Sequence, residues 1–107
     1  MAASSVVTRS GVQQWQGLFT QMFTASGTIN FGSATDGNSV SDTITVPGVA
    51  LGDMVVAHSL GVSAALGIVT AYVSAANTVT VVVSNLETAA LDLASTTVKV
   101  LVGRPAW

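Results

Sequence analysis

His58 is the side chain best suited to proton transfer or metal binding, and it is the only histidine in the chain. A serine nucleophile needs a base and an oxyanion hole, and His58 is the only candidate base among many hydroxyl groups. The sequence contains no Gly-x-Ser-x-Gly elbow, and one histidine cannot build a multi-histidine metal site within a chain. We therefore expect His58 to be a packed or rim residue of a strand.

The carboxylates offer no better site. Most of them lie in or beside turns, where Asp caps backbone amides. A glycosidase needs two carboxylates facing each other across a cleft, and Asp42 and Asp53 form only a remote candidate pair. We predict no catalytic residue, no metal ligand, no cofactor and no enzymatic activity. The five acidic residues are Asp36, Asp42, Asp53, Glu87 and Asp92.

The composition narrows the range of partners. Charged residues make up 7% of the 107 residues and the net charge is −2, whereas about a quarter of the residues in soluble domains are charged. Nucleic-acid binding is not expected, since it requires clustered Lys and Arg. Mean hydropathy is +0.65, but no run of about 20 apolar residues is uninterrupted, so we expect no membrane contact. The absence of cysteine and of a signal-like N-terminus favours synthesis in the cytoplasm.

The elements that would position these residues are strands. From Gly27 onward, short runs rich in Val, Ile and Thr alternate apolar and polar residues, which is typical of half-buried strands. Such strands without intervening helices predict an all-β domain, either a small antiparallel β-sandwich or a jelly-roll-like fold. The six predicted strands are residues 27–31, 40–46, 54–60, 68–74, 78–84 and 96–102.

Several of these segments carry a more specific prediction. Residues 54–60 are apolar on both faces, which predicts a central strand or one covered by a neighbouring subunit. Residues 68–74 and 78–84 are predicted to form a hairpin in which Asn77 adopts the left-handed conformation. Residues 86–95 are predicted to be a long connection, which could include a turn or two of helix.

The first 26 residues differ in character, and we assign 1–26 to an N-terminal arm and 27–107 to the β-sandwich domain. Apolar residues between Val12 and Phe23 have the spacing of a helical stripe. The segment could fold over the end of the sandwich as core, or it could dock on another subunit through its aromatic residues. The second hypothesis gives the predicted protein-interface residues, together with the tail: Arg9, Val12, Trp15, Leu18, Phe19, Met22, Phe23, Arg104 and Trp107.

Residues 31–102 resemble small bacteriophage virion proteins of the capsid decoration, or cement, type. The resemblance rests on four motifs in order: Phe31-Gly32, Val46-Pro47-Gly48, Gly52-Asp53, and the hairpin from Tyr72 to Val79. It implies a protein of the capsid surface that binds the major capsid protein, self-associates as a homotrimer and strengthens the shell by bridging capsomers. A tail, baseplate or fibre component is an alternative of the same class. A carbohydrate-binding module, with Trp15, Tyr72 and Trp107 stacking on sugars, is an alternative of another class.

Overall fold

The computed structural model describes residues 18–64 and 67–107, and these ranges fold into two packed antiparallel sheets. Sheet 1 has the strand order β1-β8-β4, and sheet 2 has the order β3-β6-β5. A two-stranded ladder of β2 and β7 lies beside them. The strands are β1 (Phe19–Ile29), β2 (Ser33–Ala34), β3 (Ser39–Thr45), β4 (Met54–Leu60), β5 (Ile68–Ala75), β6 (Thr78–Ser84), β7 (Leu91–Asp92) and β8 (Thr96–Pro105). The prediction of an all-β antiparallel sandwich is confirmed.

The core lies between the two central strands, and period-two alternation builds it. In β6, Val79, Val81 and Val83 are at most 1% exposed. The corresponding face of β8 carries Val98 and Val102, both fully buried. These side chains belong to one hydrophobic cluster that joins the sheets, as expected when two half-buried sheets cover each other. Thr97, Lys99 and Leu101 point away from this core, as the pattern predicts.

The β5–β6 hairpin is formed as predicted. Its strands pair antiparallel from Ile68↔Ser84 onward, and Asn77 has a φ of 61° in the turn. The connection at 86–95 contains the short strand β7 and no helix. Asn85, just before this connection, anchors it: the side-chain amide of Asn85 donates to the carbonyl oxygens of Ala34 and Ala89.

β1 differs from the prediction for the N-terminal part of the chain. It begins at Phe19 and pairs with β8 across the boundary expected at Gly27. The helical stripe is therefore wrong for residues 19–23. Phe23 packs against the core while its neighbour Met22 is 38% exposed, because successive residues of a strand face opposite sides. The predicted arm residues Arg9, Val12 and Trp15 lie outside the described ranges.

The position of β4 also corrects a prediction. β4 is an edge strand of sheet 1 and not a central one. It pairs with β8 through a register shift between Val55 and Ala57, which is a β-bulge at Val56. Five of its seven residues are exposed. Its apolar composition is therefore not explained by burial within the described chain, and coverage by another subunit stays a prediction.

Candidate interaction surface

An exposed apolar patch lies at one end of the outer face of sheet 1. Met22 and Met54 both stand opposite Gly103, one from each neighbouring strand. The ring of Phe19 covers Gly103, where an added Cβ would lie 2.5 Å from the ring. Trp107 stacks at an angle on that ring with the centroids 6.0 Å apart. We call the following six residues the apolar patch: Leu18, Phe19, Met22, Met54, Val56 and Trp107.

The exposure of the apolar patch is unusual for side chains of this size. Trp107 is 78% exposed and Leu18 is 52% exposed. Leu18 is held beside the tail because the amide of Ala106 donates to its carbonyl oxygen at 2.9 Å. Trp and Met are typical of interface cores, whereas contiguous apolar surface is uncommon on monomers. Thus Leu18, Phe19, Met22 and Trp107, four of the predicted interface residues, lie together at this end of sheet 1.

A shallow groove continues the apolar patch along the same face. Its volume is about 590 Å³, and three consecutive residues of each strand of sheet 1 line it. On this face, the row of Thr24, Leu101 and Ala57 is the next one after the row of Met22, Gly103 and Met54. The lining residues are Thr24, Ala25, Ser26, Ala57, His58, Ser59, Lys99, Val100 and Leu101.

The groove suits binding better than chemistry. His58 and Lys99 are the titratable side chains of its lining, and no carboxylate stands among them to orient a base or to share a proton. Within the described ranges, no group of three or more His, Cys, Asp or Glu residues is placed to hold a metal ion. No helix in those ranges is long and apolar enough to cross a bilayer.

Arg104 and Phe23, the other two predicted interface residues within the described ranges, take part in an internal cluster. The guanidinium donates from Nε to Oδ1 of Asp53 at 3.0 Å and from Nη2 to Oδ2 at 2.9 Å. Nη1 donates to Oε1 of Gln21, and Nη2 also donates to the carbonyl oxygen of Gly48. The ring of Phe23 lies beneath, 5.4 Å from the guanidinium carbon. Arg104 therefore joins β8, β1 and two turns, and about one third of its side chain stays exposed.

Asp53 is the buried partner in this cluster. Its side chain is 4% exposed and also accepts a hydrogen bond from the amide of Ala50 at 2.9 Å. The hydrogen bonds from Arg104 lower the pKa of Asp53 below its ordinary value of 3.8, although burial opposes them. The same contact raises the pKa of Arg104. Asp53 thus fulfils the turn role predicted from the sequence, and Asp42 is not part of this cluster.

Three of the four motifs behind the family resemblance meet at or beside this cluster, all except Phe31-Gly32. The amide of Gly48 donates to Oδ1 of Asn77 at 2.8 Å, so the Val-Pro-Gly turn is tied to the hairpin tip. The amide of Asn77 in turn donates to the carbonyl oxygen of Val49. Gly48 and Gly52 have φ near +98° and +99°, a conformation that favours glycine. These motif residues therefore tie two turns to the hairpin tip, and Gly52-Asp53 leads directly into Met54 of the apolar patch.

Sequence reasoning missed Met54 and Val56 as patch residues. The signal was present, since the apolar character of residues 54–60 on both faces indicated coverage by another chain. Comparison with known proteins does not extend this assignment: no family model, no curated protein and no solved structure matches the chain.

Proposed function

We propose that this protein is a bacteriophage capsid decoration protein, which binds the outer surface of the head through the apolar patch and stabilises the shell by bridging capsomers. The observation that carries the proposal is the patch itself, which brings two Met, two aromatic and two aliphatic side chains together on one sheet face. Such a surface lowers its free energy by meeting another protein surface. The resemblance of residues 31–102 to virion proteins directs the choice of partner toward the major capsid protein.

The size of the sheet face bears on how the protein would bind. The ten residues of β8 extend about 33 Å, and three strands about 4.8 Å apart give a face of about 450 Å². Patches of about 300–600 Å² are often functional, but specific interfaces bury about 800 Å² per partner. One face alone would bind weakly. A decoration protein reaches lasting occupancy by adding contacts from the arm or by presenting several faces at once.

The experiment is a binding assay with phage particles that lack the protein, scored by the number of copies that cosediment. We expect hundreds of copies per head for the wild type. Met54→Glu places a charge in the middle of the apolar patch and should lower occupancy at least tenfold. Thr28→Glu is the matched control, because Thr28 lies on the same strand face as Met22 at the far end of β1, outside the patch.

The outcomes separate the candidates. Occupancy that falls equally for both variants, or for neither, would contradict docking through the apolar patch. Six or twelve copies per particle would assign the protein to the tail or baseplate. A carbohydrate-binding module is the less favoured candidate, because Tyr72 lies on β5 of sheet 2 and Trp107 beside sheet 1. These two rings cannot form one stacking platform within a chain.

A further inference from the structure

Among the strands of the described residues, each sheet ends in two edge strands, and the outer backbone groups of these edges pair with no other described strand. The edges are β1 and β4 in sheet 1 and β3 and β5 in sheet 2. Proteins protect such edges with charged residues, proline, inward-pointing charges or bulges, and glycine within a strand weakens its pairing. An edge without such protection is a template for pairing with another chain.

Three of the edges carry a recognisable protection. In β3, Asp42 stands opposite the fully buried Val81, so a carboxylate occupies a core-facing position at the edge. In β4, the bulge at Val56 interrupts the middle of the strand. In β1, the regular part includes Ala25-Ser26-Gly27, and glycine inside a strand weakens it.

The edge of β5 carries no charge and no proline, and its one register shift lies near its C-terminal end, after Val73. From Ile68 to Val73 it pairs with β6 without a register shift, and the irregularity comes only afterwards, before Ala75. Five of these six residues are β-branched or aromatic, and none is charged or proline. This combination gives the strongest strand propensity and the least protection. Ile68 is 52% exposed and Tyr72 is 50% exposed on this strand.

One antiparallel register would cover both exposed side chains. If two copies of β5 pair about a twofold axis at Thr70, Ile68 of each copy stands opposite Tyr72 of the other. Aromatic and β-branched residues are favourable cross-strand neighbours. We propose that β5 pairs in this register with β5 of a second copy, which joins the two sheets into one of six strands.

The register predicts which positions meet across the contact. Thr70 is exposed and would lie beside Thr70 of the second copy, whereas Ser41 is exposed at the opposite edge of the same sheet. Thr70 and Ser41 are a matched pair, because both stand opposite Val82 from either side. The chain contains no cysteine, so a single introduced thiol reports on one position only.

The first experiment oxidises Thr70→Cys and Ser41→Cys in the full chain and follows disulfide-linked pairs on non-reducing gels. The thiol of Thr70→Cys should link at least about tenfold faster than that of Ser41→Cys, because cross-strand neighbours are about 5 Å apart. Equal rates at the two positions would overturn the register, since collisions in solution treat both positions alike.

The second experiment measures mass in solution by sedimentation over a range of concentrations. Wild type should reach a two-copy species. Thr70→Lys should raise the dissociation constant of the two-copy species at least about tenfold, because two lysines would face each other directly. Ser41→Lys should leave the constant unchanged. A monomer at every concentration would refute the pairing. A trimer, the state that the family resemblance implies, would also refute it, because the β5 contact is isologous and closes with two copies. Neither experiment involves particles, so failure here is separate from failure of the proposed function.

Discussion

The contact between Asp53 and Arg104 gives the most specific prediction about stability. Asp53→Asn keeps the shape of the side chain but removes its charge and replaces Oδ2 with an amide group. That group would then face two donors, Nη2 of Arg104 and the amide of Ala50. A buried donor without an acceptor costs about 1–3 kcal/mol, and a hydrogen bond to a charged group contributes about 1.5–3 kcal/mol.

The expected loss at neutral pH is about 2–3 kcal/mol of the free energy of unfolding. This loss lies at or just below the bottom of the summed range of about 2.5–6 kcal/mol, because Arg104 is 34% exposed and water screens its charge. A domain of this size has a free energy of unfolding of about 5–15 kcal/mol, so urea unfolding resolves the change as a lower midpoint. Asp36→Asn is the matched control, because Asp36 is an exposed turn residue outside this cluster.

The pH dependence of the free energy of unfolding tests whether the charge of Asp53 causes this loss. The pKa of Asp53 is lowered by folding, so the folded protein binds this proton less readily than the unfolded chain. The stabilisation is therefore fully present above a pH of about 3.8 and is lost as the pH falls through the folded pKa. The gap between wild type and Asp53→Asn should be full at about pH 7 and should narrow as the pH falls below about 3.8. Equal stabilities at neutral pH, or a gap that persists in acid, would refute the charged contact as its source.

Two further substitutions test the core and the hairpin. Val81→Ala removes two methyl groups from a fully buried position and should lower the free energy of unfolding by about 2–3 kcal/mol, measured in urea, with no change in circular dichroism at low denaturant. Asn77→Ala should cost about 1–3 kcal/mol, because Asn77 has a φ of 61° and accepts a hydrogen bond from Gly48. Asn77→Gly should recover the conformational part of this loss and not the hydrogen-bonded part.

Strands β3, β4, β5, β6 and β8 were predictable from the sequence because side-chain period and turn chemistry are local properties. The two-residue strands β2 and β7 are too short to show a period, and they were not predicted. The alternation of β6 and β8 fixed their core faces, and Asn77 marked the hairpin turn. The helical stripe failed for residues 19–23 because apolar spacing in a short segment fits more than one structure. Phe23 faces the core and Met22 faces outward, and only the pairing with β8 distinguishes this strand from the predicted helix.

The surface was less predictable because it depends on contacts between distant residues. Met22 and Met54 are neighbours only through Gly103, which stands between them in the ladder. Arg104 meets Asp53 from 51 positions away, so its role in joining two turns has no local sequence signal. The order of strands in a sheet, which also depends on distant contacts, decides which strands are edges. The apolar composition of β4 would suit a central strand equally well, although β4 is an edge strand.

The apolar patch and the β5 edge belong to different sheets, so use of one leaves the other free. In the proposed pair, both Thr70 side chains lie on the same face, which requires a twofold axis perpendicular to the sheet. Such an axis turns both sheet 1 faces toward the same side. Two faces of about 450 Å² would then meet one partner surface together and approach the roughly 800 Å² typical of a specific interface. Pairing through β5 would thereby convert two weak contacts into one lasting attachment, since the second face binds at a high effective concentration.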